Sequence, residues 1–425
     1  MGGLHHFAAG HRDAIVLAME KRAANWDMTP FFAAPASTEF EQFTAALRAD
    51  IDALDRRAKE LGTLTSDNVD AWASLLVDLE GADARLSHLF SYLGCHGAAD
   101  SRDEWTQRET AELATTQASS EKVFVTTKAA LRSANADDFA ALLGHESMTD
   151  VAYFVSRLRK EAQHSMDAEL EALAADLGVD GIGAWGRLYD QISGNLEFEL
   201  AIPNQEPRKV PVAMTRSLLQ SPDPEVRGAA FEGANRAWAG VSDSVAASLN
   251  AISGTRLSLY DRRGIQHFLE PALFDSGIEA KTLEAMRDTV EARRSVAWRY
   301  FRLKAKALGM DKLRFADTMA PFPSDEGTTL PWDKARSTVL DAFGSFYPAL
   351  LEFAAKAFED RWIDYEPRPG KRPGGFCTSS PVLEQSRVFM TYNQTSGDVQ
   401  TLAHELGHAF HSAVMRGMRY WAKRY

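Results

Sequence analysis

The sequence predicts a mostly α-helical fold that contains a small β element. Apolar residues recur at helical spacing over long stretches, Gly, Pro, Asn and Asp separate these stretches, and no regular alternation of strands and helices interrupts them. An apolar fraction of 45% with 25% charged residues is typical of an ordinary globular protein. At 425 residues the chain exceeds the size of a single core, so we expect at least two lobes.

The first predicted helix covers residues 38–61, where apolar side chains return every three or four positions. Thr38 is expected to begin this helix with a capping box, and Gly62 is expected to end it. Further helical patterns cover residues 67–93, 103–133, 147–177, 223–253 and 277–308. These are long helices, which is why the predicted architecture is mostly α.

Strand-like runs are few and short. Residues 195–200 alternate polar and apolar side chains, residues 209–212 do so more weakly, and residues 387–393 are rich in β-formers. Between Ile363 and Phe376 the chain is rich in Pro and Gly, which predicts a shaped loop. Because few strands are available to cover it, we expect the strand at 387–393 to lie at a sheet edge, where an extended peptide could add to it.

Charge and cysteine content exclude several classes of function. The net charge of −12 opposes nucleic-acid binding, because there is no excess of cations to replace phosphate counterions. Two cysteines, Cys95 and Cys377, cannot form a disulfide framework and favour a reducing cytoplasm. Residues 1–7 lack the features of a signal peptide, and no run of eighteen apolar residues occurs, so neither export nor membrane insertion is expected. No oligomeric state is predicted.

The most informative stretch is Asp398–His411, which contains the pattern His-Glu-Leu-Gly-His. On a helix, His404 and His408 lie on one face, roughly 6 Å apart along the axis, which suits two nitrogens on one metal ion. Glu405 lies at the edge of that face, where its carboxylate can take a proton from a zinc-activated water. The pattern predicts one Zn²⁺ per chain, with both histidines as ligands and Glu405 as the catalytic base.

Neighbouring residues have ordinary structural explanations. His411 lies too far along the axis to join both other histidines on one metal ion. We therefore expect it either to support a metal ligand or to line the groove. Asp398 is interpreted as a first-turn carboxylate at the positive end of the helix dipole, beside Ser396 as a possible cap. Cys377 is interpreted as a packed or loop-lining thiol.

Three segments in order, Gly370–Cys377, Val388–Asn393 and Asp398–His411, resemble the oligoendopeptidase F and thimet oligopeptidase family of zinc peptidases, and the oligoendopeptidase F branch in particular. Weaker similarity extends upstream through Trp185–Tyr189, Ser221–Phe231 and Leu257–Arg263. The resemblance implies a zincin-type catalytic lobe inside a clam-like helical shell, which encloses a groove with zinc on its floor. It also implies short peptides as substrates.

The resemblance also implies a third zinc ligand, a glutamate roughly two dozen residues beyond the second histidine, whereas the sequence ends at Tyr425. Catalytic zinc sites normally use three protein ligands. We therefore expect the chain to be incomplete at its C-terminus and weakly active or inactive. The expected division is an N-terminal helical region at 1–200 and a catalytic lobe at 201–425.

Five residues are candidates for contacts with a bound peptide. They come from the loop, the strand and the helix of the resemblance: Gly374, Gly375, Phe389, Tyr392 and His411. The two glycines would allow a flexible approach to the groove.

Two alternatives remain open. Glu161 with His164, and Glu405 with His408, are Glu-x-x-His motifs of the kind that di-iron carboxylate bundles use in pairs. A non-catalytic helical protein that keeps the motif as a relic is the second alternative. Metal analysis and the variant His404→Ala distinguish them from a zinc peptidase.

Overall fold

The computed structural model describes residues 26–323 and 329–424. Residues 1–25, which include the segment considered for an export signal, lie outside the described residues. The described chain is mostly helical with two small sheets, so the predicted fold class is confirmed. In this part of the chain, no helix is both long enough and apolar enough to cross a membrane.

Fourteen α-helices are described and are numbered in chain order. They are α1 Thr38–Leu61, α2 Val69–Ala99, α3 Glu104–Ser133, α4 Ala136–Gly144, α5 Ala152–Glu161, α6 Ala168–Gly178, α7 Ala184–Asn195, α8 Thr215–Leu218, α9 Pro224–Arg262, α10 Glu270–Asp275, α11 Ala280–Ala307, α12 Trp332–Phe346, α13 Pro348–Glu359 and α14 Ser396–Val414. Five strands accompany them: β1 Glu197–Leu200, β2 Arg208–Pro211, β3 Ile363–Asp364, β4 Phe376–Ser380 and β5 Gln385–Phe389.

Helix α1 has the predicted bounds, but a different residue caps it. The Ser37 side chain accepts a hydrogen bond from the backbone N–H of Phe40, so Ser37 occupies the cap position expected for Thr38. Gly62 ends the helix with φ of 63°, which favours glycine because it has no Cβ. The apolar face of α1 packs into the largest core of the protein.

The helix predicted at 147–177 is broken into α5 and α6, with a short 3-10 turn before each. Asp167 has extended backbone angles. Met166, which precedes α6, donates its backbone N–H to the carboxylate of Glu171 within that helix. Polar side chains that bond nearby backbone groups favour such breaks over a continuous helix. In contrast, α9 continues well beyond the predicted end at residue 253.

The three-stranded sheet corrects the expected position of the strand before the metal helix. Its strand order is β3-β5-β4, with β3 parallel and β4 antiparallel to β5. The expected edge location of residues 387–393 is therefore wrong, because β5 is the central strand and ends at Phe389. The strand β4 at the end of the Pro- and Gly-rich loop occupies the edge instead. In β4, Phe376 pairs with Phe389, and Ser380 with Gln385.

The described residues form three apolar cores. The largest gathers α1–α5 with Trp26, Phe389 and Trp421. A second packs α12, α13 and α14 against β3 and β5, and the third joins the β1–β2 hairpin to α9. The third core includes residues on both sides of position 200, and the division into 1–200 and 201–425 remains a prediction.

Candidate active site

The helix α14 carries the predicted metal motif and is fixed at its first turn. The Thr395 hydroxyl accepts from the Asp398 N–H at 3.1 Å, and the Asp398 carboxylate accepts from the Thr395 N–H at 3.0 Å. This reciprocal pair satisfies two backbone donors at the start of the helix. The cap is therefore Thr395, and Ser396, which we had considered, is the first helical residue.

Two imidazoles converge on the exposed face of α14. The Nε2 atoms of His404 and His408 lie 3.1 Å apart, and their ring planes are nearly perpendicular at 87°. Two nitrogens that bind one zinc ion at ~2.1 Å with tetrahedral geometry are separated by roughly 3.4 Å. The two side chains therefore have a spacing that fits a shared metal ion.

Glu405 lies between the histidine face and the apolar face of α14. Leu406 and Ala409 are fully buried in the second core, whereas Glu405 is 8% exposed and borders the sheet. Its Oε1 atom lies 3.9 Å from the point that a Cβ on Gly375 would occupy. The carboxylate therefore faces the small space between α14 and β4.

A cavity of about 420 Å³ lies between β4 and α14. Side chains of β4 alternate around it: Cys377 and Ser379 line the cavity, whereas Thr378 and Ser380 face α2. The complete lining is Gly375, Phe376, Cys377, Ser379, Glu405, His408, His411 and Ser412. The edge strand therefore shares one cavity with His408 and Glu405, and His404 lies next to His408 on α14.

Contacts from α2 hold β4 from the side opposite the cavity. The Ser91 hydroxyl donates to the Ser379 carbonyl at 3.1 Å, and His88 Nδ1 lies 2.7 Å from the Ser380 hydroxyl. His88 is buried, and burial lowers its pKa to about 4. A neutral imidazole thus supports one end of the edge strand.

Cys377 lines the cavity as a protonated thiol. Burial raises its pKa to about 12, and the negative charge of Glu405 contributes to this shift. A thiolate is the form of cysteine that acts as a nucleophile or binds zinc. This environment is consistent with a lining role.

The two glycines before β4 have different constraints. Gly374 has φ of +105°, a conformation that L side chains rarely adopt. A Cβ on Gly375 would lie 3.3 Å from both the Phe389 carbonyl oxygen and the Thr401 methyl group. A side chain at either position would disturb the approach of the loop to the cavity.

The loop at 365–375 is anchored by a buried ion pair. Lys371 Nζ donates to the Asp364 carboxylate at 2.7 Å, and both side chains are almost fully buried. Burial lowers the pKa of Lys371 to about 8, although the charge of Asp364 opposes this shift. The Arg372 N–H also donates to the Ala98 carbonyl, which ties the loop to α2.

The structure brings some predicted substrate-binding residues to the cavity and not others. Gly375 and His411 line it, and Gly374 adjoins it in the chain. Phe389 is fully buried against Phe376 in the largest core, and Tyr392 is 4% exposed with its hydroxyl bonded to the Leu330 carbonyl. Neither of these two aromatic side chains lines the cavity.

Sequence reasoning missed Phe376, Ser379 and Ser412 as cavity residues. The sequence does not reveal the alternation of β4, because the Pro- and Gly-rich segment before it is typical of a loop that continues. Ser412 lies four residues after His408, on the same face of α14. This spacing of four residues on a helix is the sequence feature that places Ser412 near His408.

The described residues bring together the two predicted metal donors, His404 and His408. Within residues 26–323 and 329–424, no group of three or more His, Cys, Asp or Glu side chains is placed to hold a metal ion. The di-iron alternative requires such a group and has no support there. Glu161 instead pairs with Lys128 at 2.8 Å and, like His164, lines a different cavity.

Two family models match the chain and together cover more than half of it. The model described as Oligopeptidase F matches residues 131–198, and the model described as Peptidase family M3 matches residues 217–418. The second match contains β3, β4, β5 and the whole of α14. It therefore covers every residue that lines the cavity.

Curated relatives and solved structures agree with these models. Oligopeptidase PepF of Bacillus subtilis is 22% identical over 65% of this chain and 41% of its own length. Group B oligopeptidase PepB of Streptococcus agalactiae is 29% identical over 47% of this chain and 33% of its own length. The chain thus spans about two fifths or less of these two relatives. The structure of PZ peptidase A with an inhibitor aligns with a TM-score of 0.68 and 18% identity over 86% of this chain and 62% of that one.

Oligoendopeptidase F from Enterococcus faecium aligns with a TM-score of 0.58 and 16% identity, over 74% of this chain and 60% of that one. At these identities the structural likeness shows a shared fold. Together with the two family models, it supports the resemblance that the loop, strand and helix motifs indicated. The chain belongs to peptidase family M3, in its oligopeptidase F branch.

Proposed function

We propose that this protein is a zinc-dependent endopeptidase that hydrolyses peptide bonds in short oligopeptides. The observation that carries the proposal is the convergence of His404 and His408 Nε2 atoms at 3.1 Å beside the buried Glu405. Zinc, when bound, would supply a Lewis acid that acidifies water and polarises a carbonyl group. His404 and His408 would hold it through nitrogens of neutral imidazole rings.

Glu405 would act as the general base and then as the general acid. Its carboxylate faces the cavity from the same helix turn as the histidines, so it can accept a proton from water and pass it to the leaving amine. A Cβ on Gly375 would lie 3.9 Å from its Oε1 atom, so the carboxylate lies beside the residue that leads into the edge strand.

The edge strand β4 would bind the peptide through its main chain. One edge of β4 pairs with β5, and the Cys377 and Ser379 side chains of β4 line the cavity. An extended peptide can add to such an edge as a further strand. Gly375 would allow close approach, and His411 would contact the bound peptide. Phe389 and Tyr392 are not retained as substrate contacts, because both are buried.

The number of ligands affects the expected affinity. Two histidines give zinc one protein ligand fewer than catalytic sites normally use. We therefore propose that these residues alone bind zinc weakly and that the 425-residue chain hydrolyses peptides slowly. Rapid hydrolysis of a quenched peptide without added zinc would contradict this part of the proposal.

Zinc titration by calorimetry tests the ligands. His404→Ala and His408→Ala should each abolish saturable binding of one zinc ion per chain, and His411→Ala should retain it as a matched control on the same helix. Retention of unchanged zinc binding by His404→Ala would overturn the assignment and favour a relic. Two bound irons per chain would instead favour the di-iron alternative.

Peptide length tests the substrate class. A series of quenched peptides of increasing length, assayed with excess zinc, should be cleaved internally, whereas a folded protein substrate should not be cleaved. Chelation should stop the reaction, and added zinc should restore it. Cleavage that continues under chelation would exclude a metal-dependent reaction.

We also propose a reducing compartment, the cytoplasm, as the site of action. Cys95 and Cys377 are both free, and Cys95 is fully buried. Free thiols persist where disulfides do not form. Because the net charge is negative, we do not propose nucleic acid as a partner. Cell fractionation that places the protein in an oxidising compartment would contradict the proposal.

A further inference from the structure

Lys371 is a buried cation in the loop that leads into β4. The residue is 2% exposed, and its ammonium group donates to the Asp364 carboxylate at 2.7 Å, the Glu366 carbonyl at 3.1 Å and the Asp364 carbonyl at 3.3 Å. An ammonium group has three N–H donors, and three acceptors match that number. All three acceptors belong to β3 or to the two residues that follow it.

Charge neutralisation of Asp364 does not explain this cation. The Arg368 guanidinium already pairs with the same carboxylate through two bonds, Nη1 to Oδ1 at 2.7 Å and Nη2 to Oδ2 at 2.5 Å. Bidentate pairs of this kind are among the strong ion pairs in proteins. Removal of a second cation from water is costly, and a buried ion pair often adds little stability compared with apolar residues. What distinguishes Lys371 from Arg368 is the set of elements that it joins.

The main chain on both sides of Lys371 is bound to another part of the molecule. The Gly370 carbonyl accepts from the Ser101 N–H at 2.8 Å, and the Arg372 N–H donates to the Ala98 carbonyl at 2.9 Å. These bonds fix the loop to the C-terminal end of α2, whereas the Lys371 side chain fixes it to the sheet. Lys371 thus sets the position of the α2-bound loop relative to β3.

The ammonium group also lies close to the first residue of β4. Lys371 Nζ is 4.7 Å from the centroid of the Phe389 ring, and this ring stacks on Phe376 with centroids 5.0 Å apart. Phe376 pairs with Phe389 across the strands and lines the cavity. From Arg372 to Gly375 the chain can span at most roughly 11 Å, so the fixed loop limits where the strand begins.

We propose that Lys371 is a positioning residue for the peptide-binding strand: its ammonium group holds the loop against β3 and thereby keeps Gly375 and Phe376 where they line the cavity. Lys371 is not among the described residues that line the cavity, so its effect on a bound peptide passes through β4. This inference rests on the proposed function, in which β4 binds the peptide through its main chain. Zinc binding by His404 and His408 should not depend on Lys371.

The variant Lys371→Met tests this role with a side chain of similar length and no charge. Arg368 still neutralises Asp364 in this variant, so no buried carboxylate is left without a partner. Initial rates of hydrolysis of a quenched oligopeptide are measured with saturating zinc. KM should rise roughly five- to tenfold, the effect of one main-chain hydrogen bond that no longer aligns, while kcat stays within about twofold.

Arg368→Met is the matched control, because it removes the other cation from the same carboxylate. Lys371 still neutralises Asp364 in this variant, and its contacts with the two carbonyl groups remain. Arg368→Met should therefore keep the parental KM. An equal rise of KM in both variants would show that Asp364 needs only a countercharge, and would overturn the proposal. A fall in kcat at unchanged KM, or weaker zinc binding by Lys371→Met, would overturn it as well.

Hydrogen exchange measures how firmly the strand is held without any need for turnover. Amides of residues 376–380 should exchange faster in Lys371→Met than in the parent chain or in Arg368→Met, and amides of α14 should be unchanged. Unchanged exchange in residues 376–380 would overturn the proposed role.

The two experiments separate this inference from the proposed function. A parent chain that hydrolyses no peptide would contradict the proposed function, and the exchange comparison would then decide whether Lys371 positions β4. Should Lys371→Met fail to fold, Lys371→Gln takes its place in both experiments with the same expected directions, because its amide keeps two N–H donors but no charge.

Discussion

At the scale of single residues, chemistry at this site depends on which face of α14 each side chain occupies. His404 and His408 are both exposed and His408 lines the cavity, whereas Leu406 is fully buried on the opposite side of the helix. Glu405 lies between these faces and is largely buried. One regular helix thus carries both proposed metal donors and the proposed base.

Glu405→Gln should retain zinc and lose most of the hydrolytic rate. The amide keeps the size of the side chain but cannot accept the proton, a loss of ~10²–10⁴-fold for a positioned base. Hydrolysis of a quenched peptide is measured over hours with saturating zinc, and zinc affinity by calorimetry. A rate within a few-fold of the parent would exclude the base assignment. Ser412→Ala, a conservative change in the same cavity, serves as the control.

His88 should make the stability of the protein depend on pH. Its folded pKa of about 4 lies below the ordinary value of 6.5, so the native state binds fewer protons than the unfolded state in this window. The contribution is present above pH 6.5 and is lost as the pH falls towards 4. Its size is roughly 2–3 kcal/mol.

Urea unfolding of the variant His88→Gln at pH 7 and pH 4 measures this contribution. The variant should lose less stability than the parent between the two pH values, by roughly the same 2–3 kcal/mol. His267→Gln, which changes an exposed histidine, should keep the parental difference. Equal losses in parent and His88→Gln would contradict the assignment.

At the scale of elements, the sequence allowed accurate prediction where periodicity extends over many residues. The bounds of α1 were predicted correctly, because one apolar face repeats over six turns. β4 was not predicted, because a five-residue strand after Pro and Gly has too few alternations to distinguish it from a loop. The position of β5 at the centre of its sheet follows from pairing with β3 and β4, and such pairings are not encoded in local sequence.

Thr395→Ala should loosen the first turn of α14. The hydroxyl satisfies the Asp398 N–H and also donates to the Gln220 side chain at 2.7 Å, so its removal affects both contacts. Loss of a helix cap costs about 1 kcal/mol. Hydrogen exchange of residues 396–402 should become faster, and zinc affinity should fall modestly. Ser396→Ala should change neither quantity.

At the scale of the whole molecule, the cavity lies where two cores meet. β4 is held from one side by α2 of the largest core, and α14 belongs to the second core. Residues after α14 return to the largest core, where the Trp421 N–H donates to the Glu80 carboxylate at 2.8 Å. These contacts join residues that are far apart in the sequence, and sequence periodicity carries no information about them.

Trp421→Ala should destabilise α2 and α14 together. The indole is fully buried, stacks on Phe154 with ring centroids 4.6 Å apart, and donates to Asp83 at 2.8 Å. Truncation of such a residue to alanine costs ~3–5 kcal/mol. Because the segment that carries Trp421 directly follows α14, its release should free the end of that helix as well.

Hydrogen exchange of Trp421→Ala distinguishes coupled from local loosening. If residues 415–424 couple the largest core to the second core, amides of α2 and α14 should exchange faster together in the variant, and its zinc affinity should fall. Trp421→Phe keeps an aromatic ring against Phe154 but loses the indole N–H, so it should cost less than Trp421→Ala. Faster exchange confined to residues 415–424 would show that Trp421 stabilises only its own segment and does not couple the two cores. In that case the width of the cavity would depend on the contacts between α2 and β4 alone.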